Sequence, residues 1–90
     1  MYTLESTGQF RKDFKTLSKS DVSKVTDALK ILEKEGTLPF TPYLTHKLKG
    51  EYEGDMEAHI KPDLLLIWFE IDGDTIKLIR VGSHSKLFGK

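Results

Sequence analysis

His-Ile-Lys-Pro-Asp-Leu-Leu-Leu-Ile-Trp-Phe-Glu-Ile-Asp-Gly-Asp-Thr-Ile-Lys-Leu-Ile-Arg-Val-Gly-Ser-His, residues 59–84, decides the fold. Leu64 to Phe69 are six large apolar residues in a row, a strand's length and too short for a buried helix. Asp72-Gly73 separates that run from a second one, the strongest local hairpin signal, because a type I′ loop needs positive φ at both central residues. A loop at those two positions predicts Ile71 opposite Asp74, Leu65 opposite Arg80, Leu66 opposite Ile79 and Ile67 opposite Leu78. One face of the hairpin then carries Leu64, Leu66, Ile79 and Val81, and the other Leu65, Ile67, Leu78 and Arg80. Both faces are largely apolar, which predicts the Leu64–Phe69 strand at the centre of a sheet.

Upstream, Asp55 to Ile60 alternates, with Met56, Ala58 and Ile60 on one side and Asp55, Glu57 and His59 on the other. Pro62 cannot donate to a ladder and belongs in the turn. A three-residue turn at Lys61, Pro62 and Asp63 predicts Ile60 opposite Leu64 and His59 opposite Leu65. Met56, Ala58 and Ile60 then join the helix-covered face, and His59 joins Arg80 on the open one. A one-residue slip would bury His59 and expose Ile60, the poorer pattern.

Toward the N-terminus, Tyr2 to Glu5 alternates like a short strand, and Ser6, Thr7 and Gly8 offer cap chemistry. Phe10, Phe14 and Leu17 form one apolar helical stripe, and Val22, Val25, Leu29 and Leu32 form a second over residues 21–35. Ser18 to Ser20 breaks the two, with Ser20 or Asp21 as the second cap and Gly36 as its terminator. Thr37 to Lys47 carries Pro39 and Pro42 and reads as a loop. The elements add up to one α+β domain, residues 1–90. A short N-terminal strand, a helical hairpin and a three-stranded antiparallel meander form one twisted sheet with helices on one face.

Composition narrows the function. Fourteen basic and fourteen acidic side chains cancel, against the basic surplus usual in free-standing nucleic-acid binders. No cysteine is present, so thiolate metal sites and disulfides are excluded, which fits a cytoplasmic protein. No apolar run reaches the length of a membrane span. His59, Asp63, Arg80 and His84 are predicted near one end of the sheet, where His46, Lys47 and Lys49 can join them. Three histidines in ninety residues is an ordinary count; their convergence is the informative feature. Imidazoles with pKa near ~6.5 beside a carboxylate and a guanidinium suit acid–base chemistry at neutral pH. No pair of histidines at metal-ligand spacing lies on one element, which argues against a metal and for no cofactor.

Several blocks carry a family resemblance: Ser6-Thr7-Gly8-Gln9-Phe10; Leu48-Lys49-Gly50 with Tyr52 and Gly54; Ala58-His59-Ile60-Lys61-Pro62-Asp63 leading into the apolar strand; and Arg80-Val81-Gly82-Ser83-His84-Ser85-Lys86-Leu87-Phe88. Together they resemble the YafQ-type mRNA interferase toxins of the RelE/ParE superfamily over essentially the whole chain. The resemblance implies a RelE-like fold and a bacterial toxin that cleaves mRNA in the ribosomal A site. Its implied partners are the ribosome and a DinJ/RelB-like antitoxin that holds it inactive in a hetero-oligomer. The implied chemistry is metal-free: the ribose 2′-OH attacks its own phosphate, leaving a 2′,3′-cyclic phosphate and a 5′-OH. By position, His84 resembles the general acid, and Asp63 and His46 the candidates for activating the 2′-OH. His59 supports phosphate or base, and Arg80 matches the phosphate-stabilising arginine. Phe88 resembles an aromatic that stacks on a base, its competing reading being a core plug, and Lys47, Lys49, Lys61 and Lys86 are candidate RNA contacts. Met56 stands where these toxins often carry arginine, and Leu64 where well-known members carry tryptophan. The alternatives are a ParE-like gyrase poison and an inactive antitoxin-binding module.

Overall fold

A computed structural model describes residues 1–89, apart from the side chain of Glu51. The chain runs β1 (Thr3–Ser6), α1 (Gly8–Lys15), α2 (Lys19–Glu35), a short turn-like α3 (Phe40–Tyr43), β2 (His46–Lys47) and a 3-10 turn (Gly50–Tyr52). It continues with β3 (Met56–Lys61), β4 (Leu64–Asp72), β5 (Thr75–Gly82) and α4 (His84–Phe88). The sheet order is β1-β5-β4-β3-β2, antiparallel throughout except for β1 alongside β5. The predicted β4 strand is therefore central. β2 and α3 occupy the segment expected to be loop.

Local chemistry sets the helix limits. Thr7 caps α1 by accepting from the Phe10 N–H. Ser18, rather than Ser20 or Asp21, caps α2 by accepting from the Asp21 N–H. That arrangement begins the helix two residues early and leaves Asp21 in its first turn, where an acid favours the helix dipole. Gly36 ends α2 at φ 81°, and a Cβ there would run into the Tyr2 ring.

One face of the sheet packs on α1 and α2, joining Phe10, Val25, Ala28 and Leu32 to Ala58, Leu64, Leu66, Trp68, Ile76, Leu78 and Val81. The β3–β4 ladder places His59 opposite Leu65 and Ala58 opposite Leu66, as expected. An irregularity after His59 pairs Leu64 with Lys61 instead of Ile60, and the turn is Pro62-Asp63.

The β4–β5 register differs from the expected one. Asp72 pairs with Thr75, so the loop is Gly73-Asp74, and Gly73 does not adopt the positive φ of a type I′ turn. The reason is an Asx turn: Asp72 Oδ1 accepts from the N–H groups of Asp74 and Thr75, both at 3.1 Å. Two further irregularities interrupt the ladder, so that Trp68 faces Leu78 while Ile67 faces Arg80. The extra residue Ile79 moves to the face opposite the helices and Leu78 moves to the helix face, the reverse of the sequence expectation. That second face is also less open than expected. Leu65 and Ile67 are fully buried beneath Leu87 of α4, Leu48 and Tyr52.

Candidate active site

Three short-range decisions bring the titratable residues together. β2 pairs His46 with Glu57, strand alternation puts Glu57 and His59 on one side of β3, and the turn after β5 starts α4 at His84. Ser83 caps that last helix by accepting from the Lys86 N–H. The result is a row of rings. The centroids of His46 and His59 lie 6.2 Å apart, His59 and His84 6.0 Å, and His84 and Phe88 6.2 Å. Tyr52 closes the row, edge-on to Phe88 at 5.6 Å.

At one end, Asp63 in the β3–β4 turn anchors His84. Asp63 Oδ1 accepts from the His84 backbone N–H and faces its Nδ1, each at 2.9 Å. The hydrogen bonds from His84 hold the Asp63 carboxyl below its ordinary range, so it is ionised at neutral pH and fixes the proton on Nδ1. Nε2, on the other side of a half-exposed ring, takes no part in this contact.

At the other end, the sequence reading missed Glu57. This carboxylate is almost fully buried, with Oε1 3.2 Å from His46 Nε2 and 3.6 Å from His59 Nε2. His46 Nδ1 lies 2.9 Å from the Leu44 carbonyl. A carbonyl only accepts, so in that contact Nδ1 is the donor and Nε2 is the nitrogen turned toward Glu57. The signal legible in the sequence is Glu57-x-His59, two ligand types at strand spacing on one face of β3. His46, Glu57 and His59 hold their donor atoms within 4.8 Å of one another, a set able to take a metal ion. The two histidines come from different elements, as expected, and the second donor on β3 is the carboxylate of Glu57.

Arg80 is not a free cation on an open face. It donates from Nε to Asp13 Oδ2 at 2.6 Å and from Nη2 to Asp13 Oδ1 at 3.1 Å. Asp13, fully buried on α1, also accepts the Val81 N–H just beyond the point where β1 stops pairing with β5. Burial raises the Asp13 pKa, but bonds from Arg80, Val81 and Gln9 outweigh it and hold the carboxyl below its ordinary value. Lys86 reaches the same carboxylate at 3.6 Å and donates to Thr16 Oγ1 at 2.7 Å. Lys61 is paired with Asp21 of α2 at 2.8 Å, and Lys47 at the end of β2 and Lys49 just after it are exposed. Phe88 is 39% exposed while its neighbour Leu87 is buried. Leu87, not Phe88, is the plug.

Comparison with known proteins gives one consistent family. Residues 2–89 match the family model described as the bacterial toxin of type II toxin–antitoxin systems, YafQ. The mRNA interferase toxin YafQ of Escherichia coli K12 is 34% identical over 89 residues, covering 96% of this chain and 95% of the relative. The toxin in the E. coli DinJ–YafQ complex superposes with a TM-score of 0.83 at 32% identity, over 99% of this chain and all of that one. A metal-bound toxin from Helicobacter pylori matches with a TM-score of 0.83 at 38% identity, over 98% and 100% of the two chains.

Proposed function

This chain belongs to the YafQ family of toxins from bacterial type II toxin–antitoxin systems, and from that premise we propose how its residues act as an mRNA interferase. Its partner is an antitoxin, as in the DinJ–YafQ complex. Its substrate is message presented by the ribosome in the cytoplasm. No helix among the described residues is long and apolar enough to cross a membrane.

The observation that carries the mechanism is the row of imidazoles at about phosphodiester spacing, with His84 and His59 6.0 Å apart and each beside a carboxylate. In-line attack needs a base at the 2′-oxygen and an acid at the 5′-oxygen on opposite sides of phosphorus. His59, steadied by Glu57, takes the 2′-OH proton. The 2′-oxygen bonds to phosphorus as the P–O5′ bond breaks, and His84 Nε2 gives its proton to the departing 5′-oxygen. The products are a 2′,3′-cyclic phosphate and a 5′-OH. His46, with Nδ1 on the Leu44 carbonyl and Nε2 beside Glu57, positions the row rather than serving as the base. Asp63, held ionised and occupied by His84, orients the acid instead of activating the 2′-OH. Arg80, held on Asp13 through Nε and Nη2 with Tyr52 beside it, lends its fixed positive charge to the phosphorane. Lys47, Lys49, Lys61 and Lys86 approach the RNA backbone, and Phe88 stacks on a base.

Primer extension on a translated message tests this reading. New 5′ ends within codons, absent from untranslated copies of the same message, are expected. Inhibition of growth with intact messages and poisoned DNA gyrase would replace it with the ParE-like alternative. No cleavage in the presence of intact antitoxin binding would leave the inactive module.

A further inference from the structure

We propose that the cleft between α3 and β3 is a nucleobase subsite that takes the base of the nucleotide immediately 5′ of the cleaved phosphate. The inference rests on the ribonuclease reading above. The cleft, about 380 Å³, is walled by Pro42, Leu44, Ile60 and Pro62, with His59 and Lys61 as its polar residues. Flat apolar walls with a few polar groups suit a planar heterocycle. The ladder between β2 and β3 covers Met56 and Glu57, so the main chain of His59 to Lys61 borders the cleft and offers hydrogen bonds to a base edge.

Leu44 supplies an independent observation. It sits at φ 52° as the left-handed cap that ends α3, its N–H on the Phe40 carbonyl, a place usually taken by glycine because a Cβ is unfavourable there, and its side chain is 47% exposed. This arrangement does two things at once. It aims the Leu44 carbonyl at His46 Nδ1, 2.9 Å away, and it leaves the isobutyl group on the cleft wall. A strained, exposed apolar residue at a site's border is a common sign of function.

The occupant follows from continuity. His59 belongs both to the cleft and to the row of imidazoles. His84 protonates the oxygen of the downstream nucleotide, whose base then lies toward Phe88 and Tyr52. The upstream nucleotide, which carries the attacking 2′-OH, must therefore lie at the His59 end. The cleft adjoins that end through His59. Lys61, one of its lining residues, is tied to Asp21 of α2, and a cleft of about 380 Å³ suits one base more than an antitoxin helix.

The test has two arms. In the first, the full chain carrying His84→Ala is titrated with the four ribonucleoside 3′-monophosphates while methyl and aromatic resonances are followed by NMR. Saturable shifts at Leu44 and Ile60 that differ among the bases are expected, and Leu44→Ala in the same background should weaken the preferred nucleotide about tenfold. Shifts confined to Tyr52 and Phe88, or no shift, would overturn the subsite. So would perturbation of Leu44 and Ile60 by antitoxin alone, which would make the cleft an antitoxin contact. The second arm maps cleavage sites in translated messages for the natural sequence, Leu44→Ala and Leu44→Gly. Glycine relieves the left-handed strain while adding freedom to the unfolded chain, so its stability change should be small. Base preference 5′ of the cut should flatten in both variants while preference 3′ of it persists; an unchanged 5′ preference would refute the proposal. If the natural sequence cuts no message, the ribonuclease reading fails, and the nucleotide titration still decides the subsite.

Discussion

Asp63 holds His84 through a single oxygen, Oδ1, which accepts the backbone N–H and faces ring Nδ1, each at 2.9 Å. One carboxylate thus fixes where the ring sits and which nitrogen is free. Removing the acid itself, in His84→Ala, should cost about 10²–10⁴-fold in single-turnover rate, and Asp63→Asn should cost less because the imidazole remains. A substrate whose 5′-oxygen is replaced by sulfur needs little protonation and should restore most of the His84→Ala loss. An equal loss on that substrate would remove His84 from the acid's role.

The Asp13–Arg80 pair should matter for stability as well as for charge placement. Asp13→Ala leaves a largely buried guanidinium and the Val81 N–H without their acceptor, which should lower unfolding free energy by about 3 kcal/mol in urea titrations. Its pH dependence has a definite sign. The folded-state pKa of Asp13 is depressed below 3.8, so its contribution is present above that value and is lost as pH falls through the lower, folded one. A variant with unchanged stability at neutral pH would show that the clamp contributes nothing.

Glu57 stands between His46 and His59 and is almost fully buried. Glu57→Ala should release both rings and lower cleavage by about 10–100-fold, the usual cost of losing a partner that orients a site. Glu57→Gln keeps the shape and removes the acceptor oxygen pair, so cleavage should still fall while thermal stability changes little. Equal cleavage by Glu57→Gln and the natural sequence would reduce Glu57 to packing.

Chelation separates acid–base from metal chemistry. His46, Glu57 and His59 can hold an ion, yet the proton-transfer scheme uses the same groups unligated. Cleavage should therefore persist in excess EDTA where ribosomes stay intact, and added copper or zinc should inhibit by occupying His46 and His59. Activity abolished by chelator and restored by catalytic zinc would reverse that assignment.

Leu87 and Phe88 should respond in opposite ways. Leu87 is buried against Leu65 and Ile67, so Leu87→Ala should destabilise by about 2–4 kcal/mol. Phe88 is partly exposed beside His84; Phe88→Ala should cost less than about 1 kcal/mol in stability but weaken cleavage by removing about 1–3 kcal/mol of base stacking. Loss of stability without loss of cleavage would make Phe88 structural after all.

The sequence by itself determined the order of the main strands and helices, because hydrophobic period and turn chemistry are local. The alternation of Met56, Ala58 and Ile60 with Glu57 and His59 sufficed to place His59 opposite Leu65. The contiguous blocks ending at Asp63 and Phe88 sufficed for the family. Tertiary structure decided what depends on side chains distant in sequence. Asp13 claims Arg80 across 67 positions, since β1 stops short and leaves the Val81 N–H needing an acceptor. Glu57 gathers two histidines because a two-residue strand at His46 pairs beside it, an element too short for any periodicity to announce. The β4–β5 register likewise passed to the Asp72 side chain and to a bulge at Ile79, where competing hydrogen bonds and packing outweighed the turn preference of Asp72-Gly73.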